Sequence, residues 1–328
     1  MSDGADHRPE RGGGVVIGRS VGTVERAGQD PTAPGPPWGP VTGVIVHRDR
    51  PDACVSTGRA LLAQGVDHLV VVDNGSPPVA IAAVRAGLPD ADVVTSGRNT
   101  GFGPGANAGL RRWLARDATA AGDWVVVCPH DAAPEPGCIP TLLAAVTSRE
   151  RAGLASAEYG DDGARLARPV VDRYFGGILG PTERRPGWED ADHPHGTLLL
   201  ARRACLADIG LFDESYFAYC EEADLGLRAR AAGWEVGIVW GAVVRNPGMS
   251  SETGVPEYLM LRNSLHLVRR NFGRYPASIR FVMATWTTVA GVALPSRRTP
   301  FWHLGGRLLA LRDFLLGRDG PPPPSLLR

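Results

Sequence analysis

Acidic side chains concentrate in one stretch of this chain. Phe212-Asp213-Glu214 is followed by Tyr219-Cys220, then by Glu221, Glu222 and Asp224, with Arg228 and Gly233-Trp234 behind them. The last three acids lead into an apolar-periodic run, Leu225, Leu227, Ala231 and Ala232, which predicts a helix beginning near Glu222 and stopping at Gly233. The partial positive charge of a helix N-terminus favours ionised carboxylates, while mutual repulsion among neighbours holds back one proton. A carboxylate balanced in this way can take a proton as a general base. A solvated helix start is the plainer reading; the aromatic company of Tyr216, Phe217 and Tyr219 weighs toward partial burial.

Three other polar clusters could handle a ligand. Asp73-Asn74-Gly75-Ser76 follows the apolar run Val70-Val71-Val72, so the carboxylate would project from a strand end, able to accept hydrogen bonds from a nucleobase or ribose. Asn-Gly after a strand is equally a turn signal. The segment 98–109, with Arg98, Asn99, Gly101, Gly103, Gly105 and Asn107, is a glycine-rich turn running into a helix. It could offer backbone N–H groups and a helix N-terminus to a phosphate, with Arg98 adding a charge-assisted contact. Its spacing is not that of the dinucleotide fingerprint, and a structural tight turn is the alternative. Asp131 lies just past the apolar run 124–128, where one carboxylate could hold Mg²⁺ or Mn²⁺ together with substrate phosphates. His130 beside it reads as an ordinary hydrogen-bonding residue.

Positioning these clusters requires an alternating α/β framework. Residues 41–46 predict a strand, 55–64 a helix, 69–72 a strand, 79–86 a helix, 92–95 a short strand, 106–117 a helix and 124–128 a buried strand. Such alternation implies a mostly parallel sheet with ligands at the carboxyl ends of its strands. The polar stretch 159–195 predicts an ordered loop or lid. Beyond the carboxylate helix, residues 236–240 and 242–244 predict strands and 256–272 a helix.

Bulk properties narrow the class. A chain of 328 residues with 43% hydrophobic side chains can bury a substantial core. Lys+Arg 35 balances Asp+Glu 35, which leaves no overall field for nucleic acid; the chain has no lysine, so every one of those cations is arginine. Five cysteines without a CxxC pair argue against a zinc knuckle or disulfide framework and for a reducing cytoplasm. Residues 1–40, rich in Gly, Pro and Arg and lacking a continuous apolar segment, predict a disordered tail and no signal peptide. Residues 262–318 hold ten arginines and one acid, Asp313, around the apolar run 281–295. That run is shorter than the roughly 20 residues a bilayer span takes. A basic amphipathic end of this kind could lie on an anionic membrane surface, or its helices could pack back on the body with the arginines in water.

In their order, Val70-Val71-Val72-Asp73-Asn74-Gly75-Ser76, Asn99-Thr100-Gly101-Phe102 with Asn107, Asp131 with Glu135-Pro136-Gly137, the segment 196–203 and the block 212–234 resemble the family 2 glycosyltransferases, and most of all their bacterial rhamnosyltransferase-like branch. The resemblance covers residues 41–272. It implies a GT-A fold, with a nucleotide-sugar half at 41–135, an acceptor half at 136–265 and a helical basic extension at 266–328. It further implies inverting transfer of a sugar from a UDP- or dTDP-sugar, dTDP-rhamnose among them, to a glycan, a lipid-linked intermediate or a small-molecule acceptor. Asp73, Asn74 and Ser76 would meet the nucleoside, and Arg98, Asn99, Gly101 and Asn107 the donor. Asp131 matches the last acid of the metal motif, and Glu222 stands at the place of the catalytic base with Glu221 and Asp224 beside it. His193, His195 and Gly196 fall on the acceptor side. The chain departs from the family pattern at Pro129, where a second metal-motif acid would stand, at Glu222 for the usual aspartate, and at Arg245-Asn246, where a histidine near the leaving diphosphate is usual. These departures also keep open a nucleotide-sugar-binding protein that has lost catalysis.

Overall fold

The computed structural model describes residues 37–118, 122–160, 168–174, 179–180, 186–246, 254–298 and 301–326. Residues 1–36 of the expected tail, and 161–167, 175–178 and 181–185 of the excursion at 159–195, lie outside them. The chain opens with β1 (Val41–His47), α1 (Pro51–Ala63), β2 (His68–Asp73), α2 (Pro78–Gly87), β3 (Asp92–Thr95), α3 (Phe102–Leu114) and β4 (Trp124–Pro129). It continues through β5 (Ala133–Pro134), α4 (Cys138–Thr147), β6 (Ala152–Tyr159), β7 (Arg168–Pro169), β8 (Leu179–Gly180), β9 (Gly187–Asp190), β10 (Leu199–Arg202), α5 (Arg203–Ile209), α6 (Glu221–Ala231) and β11 (Glu235–Arg245). Three helices follow: α7 (Val255–Phe272), α8 (Arg274–Ala293) and α9 (Leu304–Leu315).

The strands form one sheet in the order β3-β2-β1-β4-β10-β6-β11-β5, with β9 also on β11. β1 to β4 pair parallel, as the alternation predicts, because each is followed by a helix that carries the chain back to the start of the next. The second half is mixed: β10 runs antiparallel between β4 and β6, while β11 pairs parallel with β6. The two strands expected at 236–240 and 242–244 are one, β11, whose register shifts between Val239 and Val243. Gly241, at φ 91°, sits in that irregularity, which has the character of a bulge.

Alternate residues of the strands face opposite layers, as the period of two demands. Ile45, Val71, Val126 and Cys128 pack under α1, α2 and α4, whereas Val44, Val70, Val72, Val125 and Val127 pack against α3, α5 and α6. A sheet covered on both faces needs strands apolar throughout, and β1 is buried along its whole length. The two layers fix the C-terminal ends of β1, β2 and β4 beside the N-termini of α3 and α6.

α7 to α9 share a separate core of Leu265, Val268, Ala277, Ala284, Leu311 and Phe314. α7 runs without a break through residue 265. The arginines here are not all in water: Arg262 and Arg307 are buried, the former bonded to Tyr258, Asn263 and the Gly320 carbonyl, the latter paired with Glu257.

Candidate active site

The turn after β2 is built by the side chains expected to bind nucleotide. Asp73 is buried; its Oδ2 accepts from the backbone N–H of Gly75 (3.3 Å) and Ser76 (3.2 Å), and Oδ1 lies 3.2 Å from Nδ1 of His47. Asn74 reaches across to the glycine-rich segment. Its Oδ1 accepts from the N–H and hydroxyl of Thr100, and its Nδ2 donates to the Gly101 carbonyl at 2.9 Å and to Asn99 Oδ1 at 3.3 Å. Ser76 Oγ accepts from Asp49 N–H. Arg98 and Asn99 are exposed at the rim. Asn107 is buried on α3 and bonds both backbone groups of Phe212, with a further bond from Nδ2 to Glu214 Oε1 at 3.0 Å. Four expected donor-site residues, Asp73, Asn74, Ser76 and Asn107, thus hold the two polar turns and the carboxylate block together.

That block is held in an uncommon backbone conformation. Phe217, Tyr219 and Cys220 have φ of 66°, 67° and 74°, a region that costs an L-residue of order 1–3 kcal/mol and collects at functional sites. The sharp turns aim the first residue of α6, Glu221, inward. Gly101, at φ 98°, makes the approach possible: a Cβ there would lie 2.1 Å from the Phe217 carbonyl oxygen. α6 begins at Glu221, one residue earlier than its periodicity predicts.

The two glutamates face different neighbours. Glu221 is buried, with Cβ and Cγ beside Gly103 at the start of α3, and its Oε2 has no hydrogen-bond partner among the described residues. Glu222 is partly open, and a side chain at Gly196 would stand 3.6 Å from its carboxyl carbon. The glycine therefore keeps a small space in front of the Glu222 carboxyl. Gly226, one turn on, lets α6 lie directly on His193, whose Cα a Cβ at that position would approach to 2.5 Å. His193 Nδ1 donates to the Pro194 carbonyl at 2.9 Å, which leaves Nε2 buried without a partner among the described residues. Buried polar atoms are nearly always bonded, so Glu221 Oε2 and His193 Nε2 are each open to a polar group of a ligand. His195 nearby is partly buried, accepts from Thr197 N–H, and desolvation pushes its imidazole down to about 4.

Burial, more than the helix dipole, sets the proton affinity here. It raises Glu221 well above the ordinary carboxylate range, with repulsion from Glu222 adding to it, and it raises Glu222 against the opposing pull of His193. Asp224 is engaged elsewhere: Oδ2 accepts from Arg228 Nε at 2.8 Å and Oδ1 from Asn271, while Arg228 holds the carbonyls of Ile209 and Leu211.

Asp131 stands partly exposed in the turn after β4, with Oδ1 3.4 Å from Asn246 Nδ2. Arg245 ends β11 with its Nε donating to Glu135 at 2.6 Å. Among the described residues no group of three His, Cys, Asp or Glu could hold a metal. A single carboxylate at a strand end fits a hard cation when a diphosphate supplies further oxygens, and it does not make a cage by itself.

The sequence profile described as glycosyltransferase like family 2 matches residues 36–266. The chain belongs to glycosyltransferase family 2. It is 30% identical over 256 residues to the N-acetylglucosaminyl-diphospho-decaprenol L-rhamnosyltransferase of Mycobacterium tuberculosis, a match covering 70% of this chain and 81% of the relative. Among solved structures, the mannosyltransferase PcManGT from Pyrobaculum calidifontis in complex with GDP-Man and Mn²⁺ superposes with a TM-score of 0.55 at 15% identity, covering 87% of this chain and 90% of that one. GalNAc-T7 with UDP, GalNAc and Mn²⁺ gives 0.59 at 13% identity over 84% of this chain, which spans about half (54%) of its length. The fold of this glycosyltransferase is therefore GT-A, as its motif order implies.

One residue of the glycosyltransferase site escaped the motifs. Asn263, buried on α7, donates through Nδ2 to the carbonyls of Tyr216 (2.8 Å), Ala218 (2.8 Å) and Tyr219 (3.0 Å), the segment with positive φ. Its Oδ1 accepts from Arg262 Nε, and Arg262 in turn bonds the Tyr258 hydroxyl, which donates to Asp313. The available signal was the polar pair Arg262-Asn263 inside the helix predicted at 256–272; nothing in the spacing said that it meets the carboxylate loop.

Proposed function

We propose that this glycosyltransferase moves a sugar from a nucleoside-diphosphate donor to the hydroxyl of a sugar on a lipid-linked diphosphate acceptor, with inversion, and that Glu222 is the base. The observation carrying this reading is the Glu222 carboxyl facing the space left by Gly196, with His193, whose buried Nε2 has no partner among the described residues, near enough to act on its charge. The acceptor oxygen attacks the anomeric carbon as its proton passes to Glu222; the bond from that carbon to the diphosphate oxygen breaks, and the nucleoside diphosphate leaves with the electron pair. Carboxylate affinity raised by burial suits proton abstraction near neutral pH, and a positioned base contributes about 10²- to 10⁴-fold. Glu221, facing α3, shapes the pocket and keeps the reserve role.

Arg98 and Asn99 at the rim, with the N-terminus of α3, face the donor phosphates. Asp131 would hold a divalent cation, Mg²⁺ or Mn²⁺, which supplies charge neutralisation for the departing diphosphate. The donor is a dTDP- or UDP-sugar, and a rhamnosyl donor agrees with the name of the mycobacterial relative. We assign 41–265 as the catalytic domain and 266–328 as its extension, with the long α7 belonging to both.

A panel of dTDP-, UDP- and GDP-sugars, followed by nucleotide release with an N-acetylglucosaminyl-diphosphate-linked polyprenol, tests the assignment. Glu222→Gln is expected to lose about 10²-fold or more in turnover while binding donor as the parent does. Near-normal turnover would remove Glu222 from the role.

A further inference from the structure

α8 has two unlike sides. Ala277, Ala284, Thr288 and Gly291 are buried against α7 and α9, at the steps of three, four and seven that stack residues on one helix face. The opposite side carries Tyr275 (73% exposed), Val282 (64%), Trp286 (66%) and Val289 (57%), again seven, four and three residues apart. These side chains make an apolar stripe roughly 20 Å long at 1.5 Å per residue, and Val292 and Leu294 prolong it to the turn that follows. A tryptophan two-thirds in water is an expensive thing to leave uncovered, since a large side chain gains about 1.5–3 kcal/mol on burial.

The charges on α8 and at its ends have one sign. Between residues 254 and 318 the described acids are Glu257 and Asp313, and both are buried, on Arg307 and on Tyr258, Arg312 and Arg318. What faces outward is arginine: Arg274 opens α8, and Arg297 and Arg298 close it. No helix among the described residues is long and apolar enough to cross a membrane. An apolar stripe, a mid-stripe tryptophan and flanking arginines on a helix that does not cross are the features of one that lies in the headgroup layer. A second copy is a poor occupant, because a two-fold contact would lay this face on itself and bring arginine onto arginine.

We propose that the Tyr275, Val282, Trp286 and Val289 face of α8, with Arg274 and Arg297, seats the enzyme on an anionic lipid surface. The proposal rests on the lipid-linked acceptor above and gives it a physical basis: the acceptor's diphosphate and sugar stand at the same surface, so docking turns a search in three dimensions into one in two.

The full chain is sedimented with phosphatidylcholine vesicles and with vesicles also containing phosphatidylglycerol, at low and high salt. Binding is expected to the anionic vesicles, weaker at high salt because the arginine part is screened. Trp286→Ser with Val289→Ser is expected to weaken it by about tenfold or more. Arg274→Glu with Arg297→Glu is expected to remove the preference for anionic lipid. Both variants should keep nucleotide release with a water-soluble N-acetylglucosamine acceptor, which shows that the site is folded. Failure of the parent chain to sediment, or unchanged binding in the serine variant, overturns the proposal. So does a dimer, seen by sedimentation equilibrium, that Trp286→Ser dissociates. A chain that docks but does not use the polyprenol acceptor keeps the surface and removes the acceptor reading.

Discussion

At the scale of single residues, the pair Glu221-Glu222 shows how a single step along a helix, about 100° of rotation, divides two identical acids. Glu222 looks onto space and Glu221 onto the start of α3. Both are raised by burial, so each favours its neutral form in the folded protein. For such a group the stabilising contribution is complete below the unfolded value, roughly 4.3, and is lost as pH rises through the folded value. Glu221→Gln is therefore expected to raise the melting temperature at neutral and alkaline pH, by roughly 2–4 °C per kcal/mol relieved, with the difference vanishing toward pH 4. Thermal unfolding across pH checks it; no gain at high pH would show the carboxylate already compensated. The same burial places the acid limb of the kcat/KM profile above the ordinary carboxylate range, because the base works only when deprotonated. Glu222→Asp should move that limb.

At the scale of elements, the loop between α5 and α6 is strained, and α7 holds it. Two N–H hydrogens of Asn263 are shared among three carbonyls of a segment whose φ values oppose L-residues. Asn263→Ala takes the side-chain donor from those carbonyls, of which Tyr216 keeps the Ala218 N–H, a loss of about 1–3 kcal/mol. It is expected to lower kcat more than it raises the donor KM, since the freed part of the loop aims Glu222 while the bonds of Asn107 to Phe212 and Glu214 on the donor side stay in place. Asn263→Asp, which keeps the volume but cannot donate, should fail equally, and steady-state kinetics with a melting curve distinguish this from a simple loss of stability. Gly101→Ala is expected to be the harsher change, for its methyl has no room beneath the Phe217 carbonyl.

At the scale of the whole molecule, charge at the donor end is supplied from three places in the sequence: the rim at Arg98, the turn at Asp131 and the end of β11 at Arg245. Arg245 is committed to Glu135, which leaves Asp131 as the candidate anchor of a cation. EDTA is accordingly expected to suppress nucleotide release, Mn²⁺ or Mg²⁺ to restore it, and Asp131→Asn to raise the metal concentration needed for half activity. Activity indifferent to EDTA would hand the diphosphate to arginine. Glu135→Gln, which removes the Arg245–Glu135 ion pair, would then be expected to raise activity.

Much of this was legible along the chain. The apolar periods of β1 to β4 and of α6 are local properties, and the order of Asp73, the glycine-rich turn, Asp131 and the Phe212 to Trp234 block carries the family, because one cleft requires those groups at successive strand ends. Local signals do not say what a polar side chain meets. Asp73, Asn74 and Asn107 offer the hydrogen-bonding capacity of ligand contacts, and only packing decided that Asn74 and Asn107 also tie separate segments together. β10 entered the sheet backward because strand direction depends on where a chain returns, which no short pattern records. The arginine count of the C-terminal region was likewise open to two readings. The tertiary structure sorted those arginines, burying Arg307 on Glu257 and Arg262 in a network with Tyr258 and Asn263 and leaving Arg274, Arg297 and Arg298 exposed toward the ends of an apolar stripe, since a charge can leave water only where a partner of opposite sign or a polar network receives it.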